Sequence, residues 1–142
     1  GYIALIMGTG YQAHPLEVNE QNRIYMIKDK NVAKTPETIP ATIVASNLVD
    51  TTILPSGVAQ KEARASALSN ADGWYFDLDK GEKVLSKPLI LDGTAIISAF
   101  TPKQDKSALT SCNPSGGAGS VYHIDLATSA PPKSNQGGDG LI

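Results

Sequence analysis

Apolar and polar positions alternate most clearly over residues 73–126. Trp74, Phe76 and Leu78 alternate with Tyr75, Asp77 and Asp79, the period-two pattern of a strand with two unlike faces. Tyr122, Ile124 and Leu126 repeat that alternation at the far end of the stretch. Between them, Asp92-Gly93 separates two apolar runs and supplies the positive φ angles of a type I′ hairpin turn. The pattern predicts four short strands joined by tight turns, with aromatic residues in the outer two, in one twisted antiparallel sheet. Such sheets are the units from which β-propellers are built.

The rest of the chain gives shorter signals. Residues 2–7 are continuously apolar, which predicts a strand buried on both faces and ended by Gly8-Thr9-Gly10. Residues 11–22 are polar, contain Pro15, and read as a loop. Residues 23–29 form the next strand, with charges at both ends. Pro36 and Pro40 make 30–42 a connector, and 42–46 is a brief extended piece. Residues 47–54 hold the β-branched Val49, Thr51, Thr52 and Ile53 and are closed by Pro55-Ser56-Gly57.

Residues 58–69 support two readings. Ala59, Ala63, Ala65, Ala67 and Leu68, with Lys61, Glu62 and Arg64, suit a helix by intrinsic propensity. Ala63, Ala65 and Ala67 also alternate with Arg64, Ser66 and Leu68, as a strand would. Residues 130–142, rich in Pro, Gly and Ser, read as a linker or the start of a further segment. Tyr25, Tyr75 and Tyr122 each follow an apolar residue in a predicted strand, at intervals of 50 and 47 residues. Propeller blades recur at about 40 to 50 residues, and two or three of them do not close a ring.

Composition narrows the class. A chain of 142 residues holds one domain more readily than two. With 41 % hydrophobic residues, 18 % charged, 13 Gly and 9 Pro, it favours an all-β fold rich in turns and long loops. The net charge of −2, without a basic block, argues against a nucleic-acid partner. No run of about 18 apolar residues occurs, so no membrane-spanning helix is expected. Residues 1–7 lack the charged flank and cleavage site of a signal peptide, and the chain opens on Gly1 directly into a strand pattern. The expectation is a piece of a longer chain whose targeting signal lies upstream. Cys112 is the single cysteine and forms no internal disulfide.

Candidate chemistry is sparse. Asp72, Asp77, Asp79 and Glu82 form the one acidic cluster, but 79–82 reads as a solvated turn, not as a set of oxygens converging on a cation. His14 and His123 have no partner at metal-ligand spacing, and His123 is expected to pack on a sheet face. Ser107, Ser111 and Ser115 lack a nucleophile-elbow pattern. Gly116-Gly117-Ala118-Gly119 lacks the Lys-Ser/Thr ending of a phosphate loop and reads as a flexible entry to the last strand. Trp74 and the tyrosines offer stacking surfaces for a sugar or peptide, although strand aromatics usually belong to the core. The expectation is therefore no catalytic residue, no cofactor and no bound metal.

Taken together, these segments resemble the C-terminal β-propeller domain of the PilY1/PilC family of type IV pilus assembly and tip-adhesin proteins. Met7-Gly8-Thr9-Gly10-Tyr11, the strand 23–29, Asn47 to Ile53, 73–102 and 117–126 carry the likeness in order, over roughly residues 1–129. The resemblance implies a partial propeller of two to three blades over 1–129, and a strand at 62–69. It further implies a non-enzymatic, exported protein of a Gram-negative cell surface or pilus tip. Such proteins support pilus extension, adhesion and twitching motility, with minor pilins, the pilus tip or a host-surface ligand as partners. The calcium loop of some members has no counterpart in this spacing, so calcium is not carried over. The resemblance also places Cys112 in a loop where that family often carries a cysteine, and implies a disulfide partner elsewhere in a longer parent chain. Two alternatives stand beside this reading. One is a fragment of a quinone-dependent dehydrogenase, whose strand repeat 119–128 resembles although a single Trp74 counts against it. The other is the propeller of an outer-membrane assembly scaffold.

Overall fold

The computed structural model describes residues 1–31, 37, 39–54, 61–103, 116–129 and 135–136. The described chain is mostly β, arranged as two sheets with one short helix. The first sheet contains β1 (Ile3–Gly8), β2 (Arg23–Asp29), β3 (Val49–Asp50) and β4 (Gly73–Asp77), in the order β1-β2-β4-β3. Its pairings are antiparallel except β3 with β4, which is parallel. The second sheet contains β5 (Lys83–Val84), β6 (Leu89–Leu91), β7 (Thr94–Pro102), β8 (Gly117–Asp125) and β9 (Asn135–Gln136). β5 and β6 lie along the same edge of β7, so the sheet is an antiparallel meander whose first strand is interrupted at Ser86-Lys87-Pro88.

Register decides which residues form the core. Met26 stands opposite Trp74 and Ile24 opposite Phe76, so the inward face of the first sheet gathers these four. Ala95 stands opposite Ile124 and Ile97 opposite Tyr122 on the facing side of the second sheet. These residues form one buried cluster between the layers, with Trp74, Ile24, Ala95 and Ile97 fully enclosed. Phe76 meets Tyr122 edge-on across the interface, with ring centroids 6.0 Å apart, a favoured aromatic geometry. At Gly8 the layers approach closely, since a Cβ there would lie 2.4 Å from the Val84 side chain.

The hairpin at Asp92-Gly93 is present. These residues join β6 to β7 with φ of 46° and 72°, both in the left-handed region a type I′ turn requires. The strand at 23–29 and the loop at 11–22 also agree with the sequence pattern.

Several expectations are corrected. Residues 73–126 do not make one sheet, because both edges of β4 are already filled, by β2 and β3. The chain instead crosses into the second layer through a turn in which Glu82 N–H donates to the Asp79 carbonyl at 2.9 Å and Gly81 adopts φ 80°. The tyrosine interval does not mark separate blades either. Tyr25 and Tyr75 are direct cross-strand neighbours in one sheet, while Tyr122 faces the core from the other. β1 is not buried on both faces, since only Ala4 and Ile6 point toward the core. Of 47–54, only Val49–Asp50 pairs as a strand, and Ala45–Asn47 is a 3-10 turn where an extended piece was expected.

The strand expected at 62–69 is a helix, α1 (Lys61–Ser69). A strand would set Leu68 on the same face as Arg64 and Ser66 and leave only alanine methyls on the other. A helix brings Arg64 and Leu68 together at a four-residue spacing, and both are buried. The Lys28 ammonium donates to the Leu68 carbonyl at the helix C-terminus, where a cation also suits the helix dipole. The breaker 55–57 and most of 130–142 lie outside the described residues. Among the described residues no helix is long and apolar enough to cross a membrane.

Candidate binding surface

Among the described residues the second sheet packs on one side of the first only, and the other face carries the surface most suited to binding. Pairing places Ile3 opposite Asp29, Leu5 opposite Ile27, Met7 opposite Tyr25 and Tyr25 opposite Tyr75 on that outer face. Ile3, Leu5 and Met7 are exposed at 49 %, 47 % and 45 %. Three neighbouring apolar side chains left half in water on one strand differ from the scattered exposed residues of an ordinary surface. Tyr25 and Tyr75 continue the strip, with ring centroids 6.2 Å apart.

Charged groups sit at both ends of the strip. At one end the Arg23 Nε donates to Asp77 Oδ1 at 2.5 Å, and its guanidinium lies 4.6 Å from the centre of the Tyr75 ring. Hydrogen bonding to Tyr25 and to Asp77 holds the Arg23 pKa well above its ordinary value, so the guanidinium stays charged within its pair with Asp77. At the other end Lys30 Nζ donates to Asp72 Oδ1 at 2.7 Å. There a pocket of about 340 Å³ opens among Leu5, Ile27, Pro40 and Ile43, with Asp29 and Asp72 on its rim. The face offers a partner apolar and aromatic area with hydrogen-bonding groups at its margins, the composition of many protein-binding surfaces.

The structure separates the residues singled out from sequence. Asp72 and Asp77 are each paired with a cation at opposite ends of the outer face, and Asp79 is exposed. Glu82 is not solvated, a correction to the turn reading. It is 1 % exposed, and its Oε2 accepts from the Tyr122 hydroxyl at 2.6 Å and from Asp79 N–H at 3.2 Å. Among the described residues no three His, Cys, Asp or Glu side chains come together as they would around a metal ion. His14 lies beside Tyr11 with ring centroids 4.8 Å apart. His123 is exposed on the outer face of the second sheet, opposite Ile96.

Gly117-Ala118-Gly119 is part of β8 and not a flexible entry to it. The Phe100 ring stands over Gly117, where a Cβ would lie 2.1 Å from it, so the missing side chain has a packing reason. Ser107, Ser111, Cys112 and Ser115 lie outside the described residues. Trp74 is core, its Nε1 donating to the Leu126 carbonyl at 3.4 Å, and it offers no stacking surface.

Besides Lys28 on β2, two buried cations escaped the sequence reading. Arg64 donates from Nε to the Thr128 carbonyl and from one terminal nitrogen to the Leu54 carbonyl, both at 3.0 Å. Its other terminal nitrogen reaches the Ser129 carbonyl and, at 3.0 Å, the Ser129 hydroxyl. Burial lowers its pKa. Lys83 is equally enclosed and donates to the carbonyls of Glu17 and His14, holding the loop 11–22 against the second sheet. The helical spacing of Arg64 with Leu68 was the one sequence signal for the first. Nothing in the local pattern marked the second.

No family model, no curated protein and no solved structure matches this chain.

Proposed function

We propose that this chain is a non-enzymatic segment of a type IV pilus assembly and adhesion protein, exported to the surface of a Gram-negative cell. The carrying observation is the outer face of the first sheet, where Ile3, Leu5, Met7, Tyr25 and Tyr75 form a continuous apolar and aromatic strip. The order of sequence segments resembling the pilus family supplies the partner, a minor pilin at the pilus tip. In this reading the two face-packed sheets are neighbouring blades of a partial propeller, and the antiparallel meander β5 to β9 is the more regular of them. The parallel strand β3 departs from an ideal blade. Binding then proceeds through area and aromatic contact, with no bond made or broken.

Deleting the gene tests this reading. Loss of surface pili and twitching with pilin synthesis intact is the expected result. A deletion strain that assembles pili, adheres and twitches normally would overturn it.

A further inference from the structure

Among the described residues each sheet has two edges, and three of the four are blunted. β3 and β9 are two residues long, and the β5–β6 edge is broken by a segment containing Lys87 and Pro88. Short strands, charges and prolines are the usual devices that keep a sheet edge from pairing with another chain. β1 has none of them. It runs six residues, Ile-Ala-Leu-Ile-Met-Gly, with no charge and no proline. Its side away from β2 has no strand partner among the described residues. About half of its backbone N–H and C=O groups point to that side, since these alternate along an antiparallel strand. What satisfies such a row of groups is another extended strand.

We propose that β1 is the edge through which two copies of this chain join, β1 against β1 in antiparallel register, into one continuous sheet. A twofold axis sets a strand against its own reversed sequence, so a charge near the middle of the strand meets its like. β1 has no charge to repel its copy. The second copy also brings a strand of the same length and twist. On the outer face Ile3, Leu5 and Met7 of one chain then lie beside those of the other, covering side chains half exposed in the single chain. Six paired residues span only about 20 Å, so the association is a weak one, in the micromolar range. It runs through the edge of β1 and shares Ile3, Leu5 and Met7 with the outer face proposed for the pilin contact, but its test does not depend on that reading.

Sedimentation velocity on the purified chain, from about one micromolar to about one millimolar, tests the pairing. The expected result is a monomer at the low end and a dimer at the high end, with β1 amide hydrogens exchanging more slowly as the dimer forms. Leu5→Lys and Met7→Lys each place a charge on the edge at an exposed position and weaken the dimer more than tenfold. Circular dichroism establishes that each is folded, and either one folded suffices. Tyr75→Ser, on the same face but two strands away, leaves the dimer unchanged. A chain that stays monomeric throughout overturns the proposal. So does a dimer that survives both lysine variants, or one that Tyr75→Ser dissolves, since association then runs through another surface.

Discussion

The Tyr122 hydroxyl on β8 donates a 2.6 Å hydrogen bond to Glu82 Oε2, at the crossing from the first sheet to the second. Glu82 is enclosed, and its Oε1 has no hydrogen-bond partner among the described residues. The bond therefore holds a carboxylate in place that has little else to hold it. Tyr122 also meets Phe76 across the core, so the same side chain joins the two layers by packing and by polarity.

Replacing Tyr122 with Phe keeps the ring and removes the donor. Chemical denaturation is expected to show a loss of about 1 to 3 kcal/mol, the cost of leaving a buried acceptor short of its partner. Adding Glu82→Leu to that variant costs less than the two single changes predict together, because the stranded carboxylate is gone. A double-mutant cycle measures the coupling.

The same contact makes stability fall in alkali. Burial first, and then the Glu82 carboxylate, raise the Tyr122 pKa above its ordinary value of 10.0. The folded state thus keeps a proton that the unfolded state releases, so this contribution is complete below about pH 10 and is lost as pH rises further. Lys28 acts in the opposite sense, since burial lowers its pKa. Comparing the natural protein with Tyr122→Phe cancels that term. The stability difference between them is expected to shrink steadily above pH 10, read from denaturation midpoints across the alkaline range.

Arg64 ties α1 to the end of the second sheet through the Thr128 and Ser129 carbonyls, and to the Leu54 carbonyl. Arg64→Ala is expected to cost about 3 kcal/mol or more, because it strands several buried acceptors at once. Arg64→Lys recovers only part of the loss, since one ammonium does not reproduce a planar fork that reaches two segments. Thermal unfolding of the three proteins checks the order.

Local chemistry was legible in the sequence where one residue pair decided the outcome. Asp92-Gly93 fixed its hairpin because the turn needs two positive φ angles and those residues supply them. The strand Arg23–Asp29 followed from its alternation and its charged ends. What depended on partners far along the chain was not legible. Trp74 and Phe76 pair with Met26 and Ile24, some fifty residues earlier, and this places β4 in the first sheet and not beside β5. The same holds for β1, whose apolar run says that it is a strand but not that one of its faces lies open. Residues 61–69 carried the helix signal in their own propensity, and the strand expectation came from the resemblance; what no local window contains is the Thr128 and Ser129 carbonyls that Arg64 meets. The outer face was hidden in the same way. Tyr25 and Tyr75 were visible as strand aromatics, but only the register makes them half-buried neighbours on one outer face.

The proposed pilus-tip partner of the outer face of the first sheet is open to a direct binding measurement. Biolayer interferometry of the purified chain against purified minor pilins, with Tyr25→Ser/Tyr75→Ser as the paired variant, tests it most directly. The expected result is saturable binding to a minor pilin that the double variant weakens at least about tenfold, roughly 1.4 kcal/mol, while its circular dichroism stays unchanged. No binding to any minor pilin, or binding that the folded double variant retains in full, would contradict it.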